Sequence, residues 1–330
     1  MTVPDVWKGK RYNTMQLFDL HCDTPYRLLS RKQHLSENNL HISLGKVEKY
    51  ENYGQVAAVC AEYKKDDATA FARFLEISDN FFRELDENSD RAVLCRNGAD
   101  IKAAWNAGKA AYILSVEDAR ILEGDISRLD FLYERGVRVI TLMWAGSTII
   151  GGSHNTEDGL TEFGKRVVAR CCELGIIPDV SHASAASVDD TAAIVAEYKR
   201  PFIASHSCAY SLYGHTRNLR DRHIDAVIAA GGLIGQSLCR SHLAPDGAGV
   251  EDVVKHIEYY LSRGAGNNLA LGCDLDGTDL PDGIEDVRDL MKIVDPLLLD
   301  GVTEEQIEKI FWRNAYDFAV GNIGCGAKKD

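Results

Sequence analysis

The chain has 330 residues, a hydrophobic content of 45% and a formal net charge of -13 at pH 7. This length and apolar content are enough to bury a large core, in one large α/β domain or two smaller ones, and they exclude a disordered chain. The acidic balance argues against a surface for nucleic acid or for an anionic membrane. It carries no information about the substrate.

The sequence indicates neither a secretory signal nor a membrane span. The chain opens with polar residues of mixed charge, among them Asp5, Lys8 and Arg11, and no segment approaches the length of a membrane span. Its nine cysteines include no Cys-x-x-Cys pair, and several lie inside apolar, strand-like runs. Reduced and buried thiols explain this usage better than disulfides or a cysteine zinc site. We therefore expect a soluble, cytoplasmic protein.

Short apolar strands alternate with amphipathic helices along the chain, and no linker or repeat divides it. Eight strands are predicted, at 16–22, 54–62, 110–117, 137–144, 176–181, 202–206, 233–238 and 268–273. Apolar spacing of three and four predicts helices at 69–85, 129–135, 162–174, 187–198, 222–230 and 250–263. A further strand and helix within 93–107 form an insertion. The tail predicts helices at 284–294 and 303–319, with Thr303 and Gln306 as a capping box.

Strands that are apolar on both faces, with helices between them, indicate a parallel sheet. Eight such strands favour a closed (β/α)8 TIM barrel. An open, doubly wound sheet remains the alternative, because periodicity alone does not show closure. We expect a single domain over residues 1–330, with a helical C-terminal extension. In such a barrel the functional residues lie at the C-terminal ends of the strands.

Histidines and acids stand at the ends of five predicted strands. The first strand ends in His21 and Asp23, which are two residues apart and share one face, while Cys22 points to the other face. A lone histidine at a strand end is usually a hydrogen-bonded structural residue. Three histidines and two or three carboxylates on one rim are enough for two divalent ions with one bridging carboxylate. The other strand-end residues are Glu117, Asp118, His182, His206, Asp274 and Asp276.

These residues lie in strings that resemble the successive motifs of the membrane (renal-type) dipeptidases, peptidase family M19 of the amidohydrolase superfamily. The strings are His-Cys-Asp-Thr, Ser-Val-Glu-Asp, Asp-Val-Ser-His, Ser-His-Ser-Cys-Ala-Tyr-Ser, Thr-Arg-Asn-Leu and Gly-Cys-Asp-Leu-Asp-Gly, in this order within residues 16–285. Members of this family are zinc metallopeptidases. The resemblance therefore implies a barrel of the metal-dependent hydrolase type, with two Zn²⁺ per chain, and a homodimer.

The resemblance also implies a metal ligand set. His21, Asp23 and Glu117 resemble the ligands of one zinc ion, and Glu117, His182 and His206 resemble those of the second. Glu117 would then be the bridging carboxylate.

Further roles follow from the same motifs. Arg217 resembles the arginine that binds the substrate's C-terminal carboxylate, which a guanidinium matches bidentately; the alternative is a surface arginine in a loop. Asp274 resembles the acid that shuttles the proton, and Asp276 either shares that role or caps the following turn. We rank Asp118 below Glu117 as a metal ligand, because neighbouring side chains of a strand point to opposite faces and that of Asp118 is expected to point away from the site.

The sequence departs from the mammalian relatives at Trp144, where they have a substrate-binding histidine. It is similar here to some bacterial members, in which a tryptophan precedes a glycine-rich loop. Trp144 is expected to line the substrate pocket, and His154 is a candidate substrate-binding residue in that loop. Zinc alone could also stabilise the oxyanion, without help from a histidine. The seventh strand ends in Gln236 and Ser237 instead of the expected polar-aromatic ending. The specificity for substrate side chains is therefore expected to differ from that of the mammalian enzymes.

The function implied is a zinc-dependent dipeptidase that hydrolyses small dipeptides, including some with a C-terminal D-residue. A hydroxide bridging the two zinc ions would attack the amide carbonyl, and Asp274 would pass the proton to the leaving amine. The alternative is another amidohydrolase-type reaction on the same metal pair, such as N-acyl-amino-acid deacylation or ester or lactone hydrolysis. Arg217 discriminates between them, because a substrate with a free α-carboxylate needs it and a neutral ester does not. A third possibility is a metal-binding protein without catalysis, against which Asp274 argues.

Overall fold

A computed structural model describes residues 15–60 and 69–327. Nine parallel strands lie in these ranges, and they include all eight predicted ones. Strands β5, β6, β8 and β9 end two or three residues earlier than predicted, and positions 61 and 62 of the predicted second strand lie outside the described residues. The strands are β1 (Leu17–Cys22), β2 (Tyr53–Cys60), β3 (Ala92–Leu94), β4 (Ala110–Glu117), β5 (Val137–Thr141), β6 (Ile177–Asp179), β7 (Ile203–Ser207), β8 (Leu233–Gln236) and β9 (Leu269–Leu271).

The sheet closes into a barrel because β2 pairs with β4 as well as with β1. The ring runs β2-β1-β9-β8-β7-β6-β5-β4, and every pair is parallel. Strand β3 pairs with the first three residues of β4, whose last four residues pair with β5. The strand β3 therefore lies outside the ring, as expected for an insertion. This arrangement confirms the predicted (β/α)8 barrel.

Helices surround the barrel, and those between the strands lie close to their predicted positions. The α-helices are α1 (Thr24–Arg31), α2 (Leu44–Val47), α3 (Ala70–Glu87), α4 (Gly98–Asn106), α5 (Arg128–Arg135), α6 (Glu162–Leu174), α7 (Ala185–Glu197), α8 (Asp221–Ala229), α9 (Arg240–Leu243), α10 (Val250–Ser262), α11 (Val294–Leu299), α12 (Glu304–Glu308) and α13 (Asn314–Asn322). None of the helices in the described ranges is both long and apolar enough to cross a bilayer.

The tail differs from its prediction in two places. The first predicted tail helix is a 3-10 helix at Val287–Ile293 that leads into α11. Pro296, which has no backbone N–H, is tolerated in the first turn of α11 because the N–H groups there form no bonds within the α-helix. The second is divided by a π-helical turn at Lys309–Arg313. Thr303 caps α12 through the backbone N–H of Gln306, as predicted, but the Gln306 side chain donates to the Gly266 carbonyl and does not complete the capping box.

An apolar cluster fills the interior of the barrel and is covered at the N-terminal ends of the strands. Phe18 at the start of β1 lies 6.1 Å from Trp105 of α4, and Trp105 stacks on Tyr316 of α13 at 4.5 Å between ring centroids. The insertion and the C-terminal helices thus close this end of the barrel. Polar groups are left to the opposite end, where the C-terminal ends of the strands meet.

Candidate metal centre

Glu117, the last residue of β4, lies among three histidines at the C-terminal ends of the strands. Its Oε1 is 3.0 Å from Nε2 of His182, 3.6 Å from Nε2 of His206 and 3.7 Å from Nε2 of His21. The side chain is 3% exposed. A carboxylate at the centre of three imidazoles is placed as a group shared between two metal ions would be.

Two more carboxylates converge on the same point. Nε2 of His21 lies 3.7 Å from Oδ1 of Asp23 and 3.8 Å from Oδ1 of Asp274. Ligand atoms within 4.8 Å of one another form three overlapping groups. Two of them coincide with the predicted ligand sets, and the third joins Asp274 to His21 and His206.

Local backbone irregularities aim these side chains. Strands β1 and β7 each contain a bulge, in which four residues pair with three residues of the neighbouring strand. In β1, 19–22 pair with 55–57 of β2, and in β7, 204–207 pair with 234–236 of β8. His21 and His206 lie in these two bulges, a device that re-aims side chains beside active sites.

Two of the remaining groups sit on left-handed backbone. The φ angles are 70° at His182 and 57° at Asp274. Non-glycine residues adopt this conformation at a cost of about 1–3 kcal/mol, and it clusters at functional sites.

The cluster fits a divalent metal ion on two observations. Nε2 of His21 and Oδ1 of Asp23 are buried and have no hydrogen-bond partner among the described residues, which is costly for groups that no ion satisfies. Gly277 provides the room for the acids: a Cβ there would overlap Oδ1 of Asp274 and lie 2.7 Å from Oδ2 of Asp23. The donor set of imidazole nitrogens and carboxylate oxygens suits zinc, manganese or cobalt.

The electrostatics of the cluster point the same way. Burial, together with the negative charge of Asp23, raises the pKa of Glu117 to about 8. Burial likewise raises the pKa of Asp274 to about 7, against the opposing effect of His21. Burial by itself would lower the pKa of His21, but the nearby carboxylates of Asp23, Glu117 and Asp274 outweigh this effect and raise it to about 10. The described residues give these carboxylates no full counter-charge, and a divalent cation would supply it.

Arg217 is buried beside the metal cluster and is not the surface arginine of the alternative prediction. Its Nη1 donates to Oγ of Ser207 at 3.2 Å, and its Nη2 donates to the carbonyl of His206 at 3.0 Å. The side chain is 5% exposed, and its Nε has no partner. Burial lowers the pKa of Arg217, and Asp274 opposes this shift. A guanidinium with unused donors in this position can bind an anionic group.

Trp144 and His154 line the approach to His182. The Trp144 ring lies 6.3 Å from the His182 ring and is part of a side chain that is 45% exposed. The His154 ring lies 6.2 Å from that of His182, and its Nδ1 is 3.1 Å from Oγ1 of Thr216. Both residues are therefore close enough to the centre to contact a bound substrate.

Asp118 and Asp276 are turned away from the centre. Asp118 pairs with Arg120, whose Nε donates to its Oδ2 at 2.7 Å. Asp276 accepts from Oγ1 of Thr24 at 2.6 Å and from the backbone N–H of His41 at 2.6 Å. Both acids hold loops in place, and of the two acids after β9 only Asp274 enters a ligand group.

Some residues at the site carry no signal in the sequence. His215 lies in the loop after β7 and His242 in the short helix α9 after β8; their ring centroids are 4.6 Å apart, and the His215 ring lies 6.4 Å from that of His154. Burial and the charge of Arg217 lower the pKa of His242 to about 3, so this ring is neutral near pH 7. Cys60 at the end of β2 faces Glu117 in register, which only the pairing of β2 with β4 reveals.

Comparison with known proteins agrees with this site. The profile of the membrane dipeptidase family, peptidase family M19, matches residues 11–317. An uncharacterised protein of Klebsiella pneumoniae is 31% identical over 69% of this chain and 88% of its own length. The dipeptidase tcpJ of Claviceps purpurea is 31% identical over 70% of this chain, and the match spans 56% of the length of that relative.

Two solved structures share the fold. A metallo peptidase from Rhodobacter sphaeroides, liganded with a phosphinate mimic of the dipeptide L-Ala-D-Ala, has a TM-score of 0.86 and 24% identity over 94% of this chain and 99% of that chain. The dipeptidase AC, a metallo peptidase of family M19, has a TM-score of 0.86 and 25% identity over the same shares. The family profile covers more than nine-tenths of the chain. The chain belongs to the membrane dipeptidase family, peptidase family M19, and is a metal-dependent hydrolase of that family.

Proposed function

We propose that the protein is a zinc-dependent dipeptidase that hydrolyses small dipeptides at a centre of two metal ions. His21, Asp23 and Glu117 would hold one ion, and Glu117, His182 and His206 the other. The single observation that carries the proposal is that Glu117 lies within 3.7 Å of all three imidazole Nε2 atoms. When bound, the metal pair supplies Lewis acidity toward the scissile carbonyl and lowers the pKa of water.

The chain's own residues would bind the substrate and move its proton. The unused donors of Arg217 would bind the substrate's C-terminal carboxylate and so fix the position of the scissile bond relative to the metal centre. Asp274 lies 3.8 Å from His21, where a carboxylate can take a proton from the attacking water and return it to the departing amine.

We include dipeptides with a C-terminal D-residue among the substrates. Support comes from the Rhodobacter sphaeroides relative, which was solved with a mimic of L-Ala-D-Ala. The walls of the substrate pocket would be Trp144 and His154, with His215 and His242 farther from the metal ligands.

The proposal is tested by hydrolysis of a panel of L-L and L-D dipeptides after chelation and after zinc is restored. We expect cleavage only with metal, and a loss of about 10²–10⁴-fold in kcat for Asp274→Asn. The matched control is Asp276→Asn, which changes the acid two residues away that is held by Thr24 and His41. A zinc-loaded protein that leaves every dipeptide intact but cleaves N-acyl-amino acids or esters would overturn the dipeptidase assignment.

We also propose that the protein works as a homodimer in the reducing cytoplasm. The family resemblance supports the dimer, and the cysteines support the compartment: all nine are free thiols, and Cys325 is the only exposed one among them. Sedimentation analysis and cell fractionation test the two statements separately.

A further inference from the structure

A fully buried carboxylate, Asp179 at the end of β6, ties three strands together beneath the metal centre. Its Oδ1 accepts the backbone N–H groups of Ser181 and Ser205, at 2.9 and 2.8 Å. Its Oδ2 accepts the hydroxyls of Thr141 and Ser205, both at 2.6 Å. Four donors surround this side chain, so it acts only as an acceptor.

The Ser205 hydroxyl extends this arrangement to a metal-ligand candidate. Because its single proton is donated to Asp179, the oxygen of Ser205 is left to accept, and it lies 2.8 Å from Nδ1 of His206 and 3.2 Å from Oγ of Ser181. The bulge in β7 allows these neighbouring side chains to meet. Nδ1 of His206 would then be the protonated nitrogen, and Nε2 would keep its lone pair toward Nε2 of His182, 3.0 Å away, and Oε1 of Glu117, 3.6 Å away.

We propose that Asp179 is a positioning residue that acts through Ser205: it holds His206 in the tautomer protonated on Nδ1 and so sets the affinity of the centre for its metal. The inference rests on the proposed role of His206 as a ligand. A ligating histidine commonly donates its other N–H to a carboxylate or carbonyl, and loss of such a partner costs about 10–100-fold in metal affinity. Here a serine hydroxyl stands between the carboxylate and the imidazole.

The chain offers a matched pair of substitutions. Ser205→Ala and Thr141→Val each remove one hydroxyl donor from the same oxygen of Asp179, and both side chains are 1% exposed. Only Ser205 contacts His206. The measurement is the dissociation constant for Zn²⁺, by competition of the metal-free variants against a chromophoric chelator, with thermal unfolding as a check that each variant folds.

We expect Ser205→Ala and Asp179→Asn to weaken zinc binding by about 10–100-fold, and Thr141→Val to change it little. Equal losses in Ser205→Ala and Thr141→Val would overturn the inference, because Asp179 would then only clamp the strands. His206→Gln separates the two claims: if this variant binds zinc as tightly as wild type, the proposed ligand role fails as well.

A second readout does not depend on metal or turnover. Nitrogen NMR of the metal-free protein labelled with ¹⁵N-histidine reports which ring nitrogen carries the proton, and the His206→Gln variant assigns the signals of His206. We expect the Nδ1-protonated form in wild type and in Thr141→Val, and a shift toward the other tautomer in Ser205→Ala. A wild-type His206 protonated on Nε2 would overturn the inference, even if Asp179→Asn fails to fold.

Discussion

The backbone of Gly277 runs so close to Asp274 that a Cβ at position 277 would overlap the carboxylate oxygen Oδ1. The same Cβ would lie 2.7 Å from Oδ2 of Asp23. A glycine after β9 therefore keeps space for two of the three acids at the centre. The contacted atoms belong to functional side chains, so a methyl group here acts on the site directly.

We predict that Gly277→Ala lowers both zinc binding and dipeptide turnover, because Asp274 and Asp23 must move to make room for the methyl group. A displacement of this kind can cost about 10²-fold in rate. The control is Gly321→Ala in α13, where an added Cβ meets nothing within 4 Å. Metal content and kcat are measured for both variants, and wild-type values in Gly277→Ala would show that the acids do not need their observed positions.

Arg217→Met is predicted to reduce kcat/KM for dipeptides with a free C-terminal carboxylate. Hydrogen bonds to charged groups contribute about 1.5–3 kcal/mol, so the expected loss is roughly 10–150-fold. Dipeptide amides lack the carboxylate and should be affected much less. Arg217→Lys keeps the charge but not the planar fork and should recover only part of the loss. Equal losses for acids and amides would instead indicate a role in holding Ser207 and the His206 carbonyl.

Trp144→Ala is predicted to raise KM for dipeptides with large apolar side chains by roughly tenfold, since one aromatic face contributes about 1.5 kcal/mol when a ligand covers it. Zinc affinity should not change, because the indole N–H of Trp144 is a donor only and offers no lone pair to a metal ion. Leu299→Ala on α11 is the control: this side chain is 53% exposed, compared with 45% for Trp144. If the variant has the wild-type KM for every dipeptide of the panel, Trp144 does not line the substrate pocket.

His256 in α10 is predicted to make the fold sensitive to acid. Its ring is 1% exposed, its Nδ1 accepts from the N–H of Ala209 at 3.0 Å, and its Nε2 donates to the Leu243 carbonyl at 3.1 Å. Burial lowers its pKa below the ordinary value of 6.5, although the Leu243 carbonyl and Asp252 oppose the shift. The unfolded chain therefore binds a proton at His256 that the native chain does not, so the contribution of His256 to the free energy of unfolding falls as pH drops below 6.5 and is constant above it.

The measurement for His256 is urea unfolding of metal-free wild type and His256→Gln between about pH 5 and pH 8. Glutamine can both accept from Ala209 and donate to Leu243, but it does not titrate. We expect the difference in unfolding free energy between the two proteins to shrink or reverse as the solution is acidified. A difference that is independent of pH would contradict the proposed cause.

The sequence predicted the barrel and the gathering of histidines and acids at its C-terminal rim because both follow from local patterns, whereas the division into two ligand sets was implied by the family resemblance. Apolar strands ending in His21, Glu117 or His206 are visible within a few residues, and parallel strands bring their C-terminal ends to one rim. The roles of Asp19 and Asp179 were not predicted. Each is an acid of a strand, and most of its partners lie far along the chain: Asp19 accepts from the backbone of Cys273 and from the side chain of Gln55. Such contacts depend on closure of the barrel and on the bulges, and the apolar periodicity of the sequence predicts neither.

The most direct test of the central claim, two metal ions sharing Glu117, is a zinc titration of the metal-free chain and of Glu117→Gln. We predict two equivalents of tightly bound zinc per wild-type chain. Because each ion would lose a ligand, the variant should bind at most one equivalent tightly and should lose dipeptide turnover. A wild-type chain that binds a single equivalent, or a variant that still binds two with unchanged affinity, would contradict the account.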